Sequence, residues 1–189
     1  MGLEYIPMET EEQLQHLEQV ARTIWQEYWP ERIGQGQTDY MLDMFHSLDA
    51  MKHDKDEKAY RYWILVNDEG VEVGYTSGAI EELTGEAAHD AAITHSAEVN
   101  RRWPRRFFIS KVYLYSHFRG QGYARSVIEF YEQLAREEGV PALYLTVNRE
   151  NDLAIRAYEG LGFELVEEVD NYIGEGFTMY DYVMAKEVE

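Results

Sequence analysis

Apolar residues near the start of the chain return every three or four positions. Leu14, Leu17, Ala21, Ile24 and Tyr28 fall on one face of a helix at that spacing. Thr10 followed by Gln13 has the form of a capping box ahead of it, and Pro30 helps to end it. Leu3 to Met8 reads as a short opening strand. A second helix is expected from about Thr38, with Met41, Phe45 and Leu48 inward, giving way to a charged connection around His53 to Lys58. The pattern then turns aromatic and β-branched over Tyr60 to Val66 and Val71 to Ile80, with Asn67-Asp68-Glu69-Gly70 between them as a turn, which predicts a hairpin. From Glu81 to Arg106 the pattern is broken. Gly85 interrupts it, Ala87 to Val99 has the composition of a short helix, and Arg101, Arg102, Arg105 and Arg106 cluster around Pro104. This stretch reads as an excursion from the sheet.

Strand periodicity resumes over Phe107 to Tyr115. A helix is predicted from Gly122 to Glu138 with Val127, Ile128, Tyr131 and Leu134 inward, stopped by Gly139 and Pro141. Ala142 to Val147 is the next strand. A strand, a helix and a strand with short connections imply a parallel pair joined by a right-handed crossover. Asn151 to Leu161 is a last short helix with Gly162 as its exit, and Glu164 to Ile173 with Phe177 to Lys186 form a closing hairpin across Gly174-Glu175-Gly176. There is no internal repeat, and 189 residues suit a single domain over 1–189.

One junction carries candidate chemistry. Arg119-Gly120-Gln121-Gly122-Tyr123-Ala124 lies where an apolar strand turns into a helix. Glycines there let backbone N–H groups approach an anion, and the helix N-terminus adds partial positive charge, so a phosphate-bearing ligand is the natural occupant. A tight strand-to-helix connection without a ligand would use the same residues. A P-loop requires Gly-Lys-Ser/Thr, and none follows Gly122. A dinucleotide fingerprint needs a further glycine beyond Tyr123 and an acidic residue ending the next strand, but Arg125 and Val147 stand near those places.

Composition narrows the partners. Seventeen basic against 36 acidic residues give a net charge of -19, a field that repels nucleic acid and anionic membranes and attracts cations. No cysteine is present, which excludes disulfides and thiolate catalysis. The N-terminus carries no secretion-signal pattern and no apolar run approaches the ~18 residues of a membrane span, so a cytoplasmic location is expected. No histidine pair has metal-ligand spacing, and no metal is expected.

Val112-Tyr113-Leu114, then Arg119 to Ala124, then Asn151, Ala154-Ile155, Tyr158 and Gly162-Phe163 resemble, in order, the three linked blocks of the GNAT N-acetyltransferases. The N-terminal helices and the closing hairpin are also similar to the bacterial polyamine-type branch. The resemblance implies an α/β fold of the GNAT acyl-CoA N-acyltransferase type: a central twisted, mostly antiparallel mixed sheet with a splayed parallel strand pair and flanking helices. It implies acetyl-CoA as donor, with its diphosphate on the main chain of Arg119, Gly120, Gln121, Gly122, Tyr123 and Ala124. The pantetheine arm would run along Val112, Tyr113 and Leu114 as an added strand. Asn151 would touch the cofactor, although a helix N-cap accounts for it equally well. Tyr158 would be the general acid that protonates the departing thiolate; a tyrosine packing the helix on the sheet is the plainer alternative. The acceptor is expected to be a small-molecule or peptide amine. A glutamate often found on the strand before the turn is missing, since Ser110, Lys111 and Val112 stand there; Glu81 and Glu82 are the substitutes to test as base. An acyl-CoA sensor that has lost transfer is the competing function. The 81–106 excursion would shape the amine side of the site or a homodimer contact.

Overall fold

A computed structural model describes residues 2–83 and 96–189, which form two compact units. The first comprises Met1–Ala79 and Lys111–Ser126, the second Ile80–Ser110 and Val127–Glu189.

In the first unit β1 (Leu3–Pro7) pairs antiparallel with β2 (Arg61–Asn67), and β2 with β3 (Glu72–Glu82). Helix α1 (Glu11–Tyr28) begins at the capping box: Thr10 accepts from Gln13 N, and the Gln13 side chain returns to the Thr10 backbone. It buries Leu14, Leu17, Val20, Ala21, Ile24 and Trp25, the stripe expected from the spacing. Pro30 does more than stop α1, because it occupies the first turn of a short helix, α2 (Pro30–Ile33), where its missing N–H costs nothing.

Helix α3 (Gln35–Phe45) is followed by α4 (Leu48–Lys58), so the predicted charged connection at His53 to Lys58 is helical. Two features override the polar composition. Ser47 caps the helix by accepting from Ala50 N, and Asp54 turns inward, where it takes Lys58 Nζ at 2.9 Å and the Tyr62 hydroxyl at 3.2 Å. Met51, fully buried, anchors α4 in a core shared with α1, Tyr62, Ile64 and Tyr75. Each such side chain contributes about 1.5–3 kcal/mol by leaving water.

The C-terminal end of β4 (Arg105–Leu114) lies beside β3 in this unit: Tyr115 N donates to Val73 O, and Thr76 Oγ1 to Lys111 O. The approach is very close at Gly74, where an added Cβ would sit 2.0 Å from Tyr113 O.

In the second unit the strands follow the order β4, β5 (Ala142–Asn148), β7 (Phe177–Glu187), β6 (Glu164–Gly174). The β4–β5 pair is parallel, as the crossover predicts, and its ladder runs only from Phe107↔Leu143 to Ile109↔Leu145. The β5–β7 and β7–β6 pairs are antiparallel. Helix α6 (Tyr123–Glu137) packs Tyr131 on Phe107, ring centroids 5.1 Å apart. Lys186 on β7 reaches both Glu132 of α6 and the Leu161 carbonyl at the end of α7 (Asp152–Gly160). Leu143, Leu145, Tyr182 and Met184 share that face by strand alternation; Tyr144, Thr146, Asn148, Asp181, Val183 and Ala185 face the other way.

Of the 81–106 excursion, α5 (Ala97–Arg102) is helical with Ser96 as its cap. The rest of the helix expected over Ala87 to Val99, together with Gly85, lies outside the described residues. Among the described residues no helix is long and apolar enough to cross a membrane.

Candidate active site

The Gly-rich junction occupies a bend between β4 and α6. Ser116–Phe118 make a single 3-10 turn, and Ser116 N is held by Glu27 of α1 at 3.2 Å. Gly120 and Gly122 have φ of 74° and 88°, a region that L side chains avoid, and nothing lies within 4 Å of where a Cβ would stand at either. The bend therefore offers backbone rather than side chain, with open space above it. Tyr123 closes the underside, buried and edge-on to Phe118. Arg125 N and Ser126 N donate to Gly122 O at 3.1 and 3.4 Å, the N–H groups ahead of them have no acceptor one turn earlier in the helix, and its dipole favours an anion there. The donor set fits a diphosphate.

Arg119 is committed to the bend itself. Its Nε donates to Leu114 O at 3.1 Å, its guanidinium lies 4.4 Å from the Tyr28 ring centroid, and desolvation lowers its pKa. Gln121 donates to His117 O. Val112, Tyr113 and Leu114 are half-buried on the last turn of strand before the bend. The Tyr113 ring is fixed against Trp25, Tyr75 and His46, with centroids 5.4–5.6 Å away, so it is the main chain of this segment that can serve a ligand.

Beneath it lie polar groups that the sequence did not single out. His46 Nδ1 and the Tyr75 hydroxyl are 2.8 Å apart and both buried. Desolvation, reinforced by Lys111 and Arg22, drives the His46 pKa well down, so the ring is neutral. Lys111 is buried too, with Nζ 4.0 Å from Asp54; desolvation lowers its pKa to about 8, against the attraction of Asp54.

In the second unit α7 starts at Asn151, whose side chain accepts from Ala154 N at 3.3 Å, as an N-cap does. Tyr158, part-exposed, packs its ring 5.7 Å from Phe163. Desolvation of the phenol raises its pKa to about 12, so it carries its proton throughout the physiological range.

The two glutamates expected as base each have an arginine partner. Glu81 Oε2 accepts from Arg106 Nε at 3.0 Å and from the Tyr144 hydroxyl at 2.7 Å, in a pair whose arginine is wholly buried. Desolvation raises the Glu81 pKa against those two partners. Glu82 is exposed and faces Arg105 at 3.4 Å. A different carboxylate stands out: Asp181 on β7 is only 2% exposed and sits directly opposite Asn148, the last residue of β5. In the sequence its sign is a charge in register with Val183 and Ala185 on a strand's inward face.

The acetyltransferase (GNAT) family model matches residues 19–163. No curated protein matches the chain. Among solved structures, the PaiA N-acetyltransferase from Thermoplasma acidophilum in complex with coenzyme A aligns over 99% of both chains with TM-score 0.68 at 14% identity. NAA60 from Arabidopsis thaliana in complex with acetyl-CoA aligns over 99% of both, with TM-score 0.66 at 16% identity. The spermidine/spermine N-acetyltransferase SpeG from Vibrio cholerae aligns over 98% of this chain and 93% of its own, with TM-score 0.60 at 17% identity. At these identities the likeness speaks for the fold. The family match spans both the glycine-punctuated bend and the helix of Tyr158, and by it the chain belongs to the acetyltransferase (GNAT) family, N-acetyltransferases that take their acyl group from acetyl-CoA.

Proposed function

We propose that the chain, acting as a single catalytic domain, moves the acetyl group of acetyl-CoA directly to the primary amine of a small cationic compound. The observation that carries the donor half is the bend at Gly120 and Gly122, open on its backbone side and leading into α6. In this reading the main chain of Arg119 to Ala124 holds the diphosphate, and Arg119 braces the bend through Leu114 O. Val112 to Leu114 offer main-chain groups to the pantetheine amides, and Asn151 sets the start of α7 beside the cofactor while capping it.

The sulfur is assigned to Tyr158. A phenol with a pKa of about 12 is a weak acid toward a thiolate of ordinary pKa, roughly 8.5. It acts chiefly by donating a hydrogen bond to sulfur as the C–S bond breaks, when negative charge is greatest. Its high pKa keeps the donor proton in place at any working pH.

The cationic acceptor is supported by the charge of -19 and by the likeness to SpeG, which acts on spermidine and spermine. The test is incubation with acetyl-CoA and a panel of polyamines, amino acids, peptides with free N-termini and aminoglycosides, following free CoA and identifying the product by mass. Acetylated polyamine is the expected result. Acetylation confined to peptides would replace the acceptor class, and tight acetyl-CoA binding with no acetylated product would favour a sensor.

A further inference from the structure

We propose that Asp181 is the group that accepts the proton from the attacking amine. The assignment rests on the acetyl-transfer reading above. Direct transfer needs such a group, because an ammonium has no lone pair and the nitrogen must shed a proton as it bonds to carbon.

Asp181 is on the β7 face that carries Val183 and Ala185, across from Asn148. The alternate residues of β7 face α6 and the end of α7, as Lys186 does through Glu132 and Leu161 O. Asp181 and the helix that carries Tyr158 thus lie on opposite faces of the strands around the end of β5. Acyl transfer passes through a tetrahedral carbon: the amine adds over the plane of the carbonyl, in which sulfur lies, so the group that takes the amine's proton and the group that serves sulfur need not share a face.

Among the described residues nothing donates a hydrogen bond to the Asp181 carboxylate. Its two cross-strand neighbours are Asn148 on β5 and Val169 on β6. The cation that acts on it is Arg149, which has other partners: Nη2 donates to Asp170 Oδ1 at 2.6 Å and to Val169 O at 3.1 Å, Nη1 is 3.9 Å from Glu168, and Nε donates to the main-chain carbonyl of Asp181. Taking most of the residue out of water penalises the charged form of this carboxyl. Burial raises its pKa to about 6, against the pull of Arg149, which brings it near the pH at which a base is most effective.

The step balances without a further reactant. The amine nitrogen bonds to the acetyl carbon and becomes acidic; its proton passes to Asp181, directly or through one water. The C–S electron pair leaves on sulfur, where Tyr158 donates its hydrogen bond. Asp181 returns its proton to solvent, and the thiolate takes one from solvent.

The test is Asp181→Asn, measured for kcat and KM with the best amine of the panel, for acetyl-CoA affinity by calorimetry, and for Tm at about pH 5 and about pH 8. We expect kcat to fall by ~10²-fold or more with acetyl-CoA Kd within about twofold, and Tm to rise, more at the higher pH. A residue that only holds the fold would lose Tm instead. The assignment is overturned if kcat stays within about threefold of wild type, or if its loss is matched by losses of Tm and of acetyl-CoA affinity. A wild-type protein that bound acetyl-CoA and acetylated no amine would remove the underlying reading, a distinct result because the variant plays no part in it.

Discussion

In the proposed transfer the work would be divided between a phenol whose pKa burial raises to about 12 and a carboxyl whose pKa burial raises to about 6. Removing the phenolic oxygen should therefore separate chemistry from binding: in Tyr158→Phe, single-turnover kinetics should show acetyl transfer slower by ~10²-fold or more, with acetyl-CoA Kd nearly unchanged. The carboxyl has a second consequence, for stability. Its pKa rises from an ordinary 3.8 in the unfolded chain to about 6 in the folded one. Between those values the folded state holds more protons than the unfolded state, so stability falls as pH rises through that window. The full penalty, on the order of 3 kcal/mol, applies above both. Denaturant titrations should show Asp181→Asn more stable than wild type at about pH 8 and the difference gone at about pH 3; equal stability at both would mean the carboxyl is solvated. The two side chains were not equally legible in the sequence. Tyr158 was readable only through the family resemblance carried by Asn151, Ala154-Ile155 and Gly162-Phe163 around it. Asp181 sits in an unremarkable Tyr-Asp-Tyr, and only the strand register, which turns it toward Thr146 and Asn148, gives it meaning.

Among the elements, the bend and the strands behind it are where the proposed donor binding would depend on backbone geometry. Gly74 lets β3 and β4 approach so closely that a methyl group there would meet the Tyr113 carbonyl. Gly74→Ala should displace the Val112–Leu114 segment, at a cost of about 1–3 kcal/mol in stability, and weaken acetyl-CoA in calorimetry. Gly122→Ala meets no atom but strains the backbone at φ 88°; it should cost about 1 kcal/mol of stability and weaken acetyl-CoA by about tenfold or more if the bend must keep this shape to hold the diphosphate. The capping box, the Asn67–Gly70 turn and the parallel crossover were readable because each is fixed by residues close in sequence. Helix α4 was not, since its polar segment folds around Asp54, whose partners include Tyr62 on the next strand. The engagement of Glu81 by Arg106 and Tyr144 joins residues 25 and 63 positions apart and was equally out of reach.

For the molecule as a whole, the charge of -19 acts at long range and says more about encounter than about chemistry. A polyamine acceptor drawn by that field should show kcat/KM falling as salt is raised from about 0.01 M to 0.15 M, where the screening length shrinks from ~30 Å to ~8 Å, with kcat itself nearly constant. A neutral acceptor would show no such slope. The family was legible from three short blocks that stand in a fixed order along the chain; the acceptor was not, because amines are recognised by scattered side chains. The most direct measurement is the amine panel with acetyl-CoA, read by mass spectrometry alongside free CoA. A polyamine that gains one acetyl group for each CoA released is the expected result. Bound acetyl-CoA that never yields an acetylated amine would contradict it.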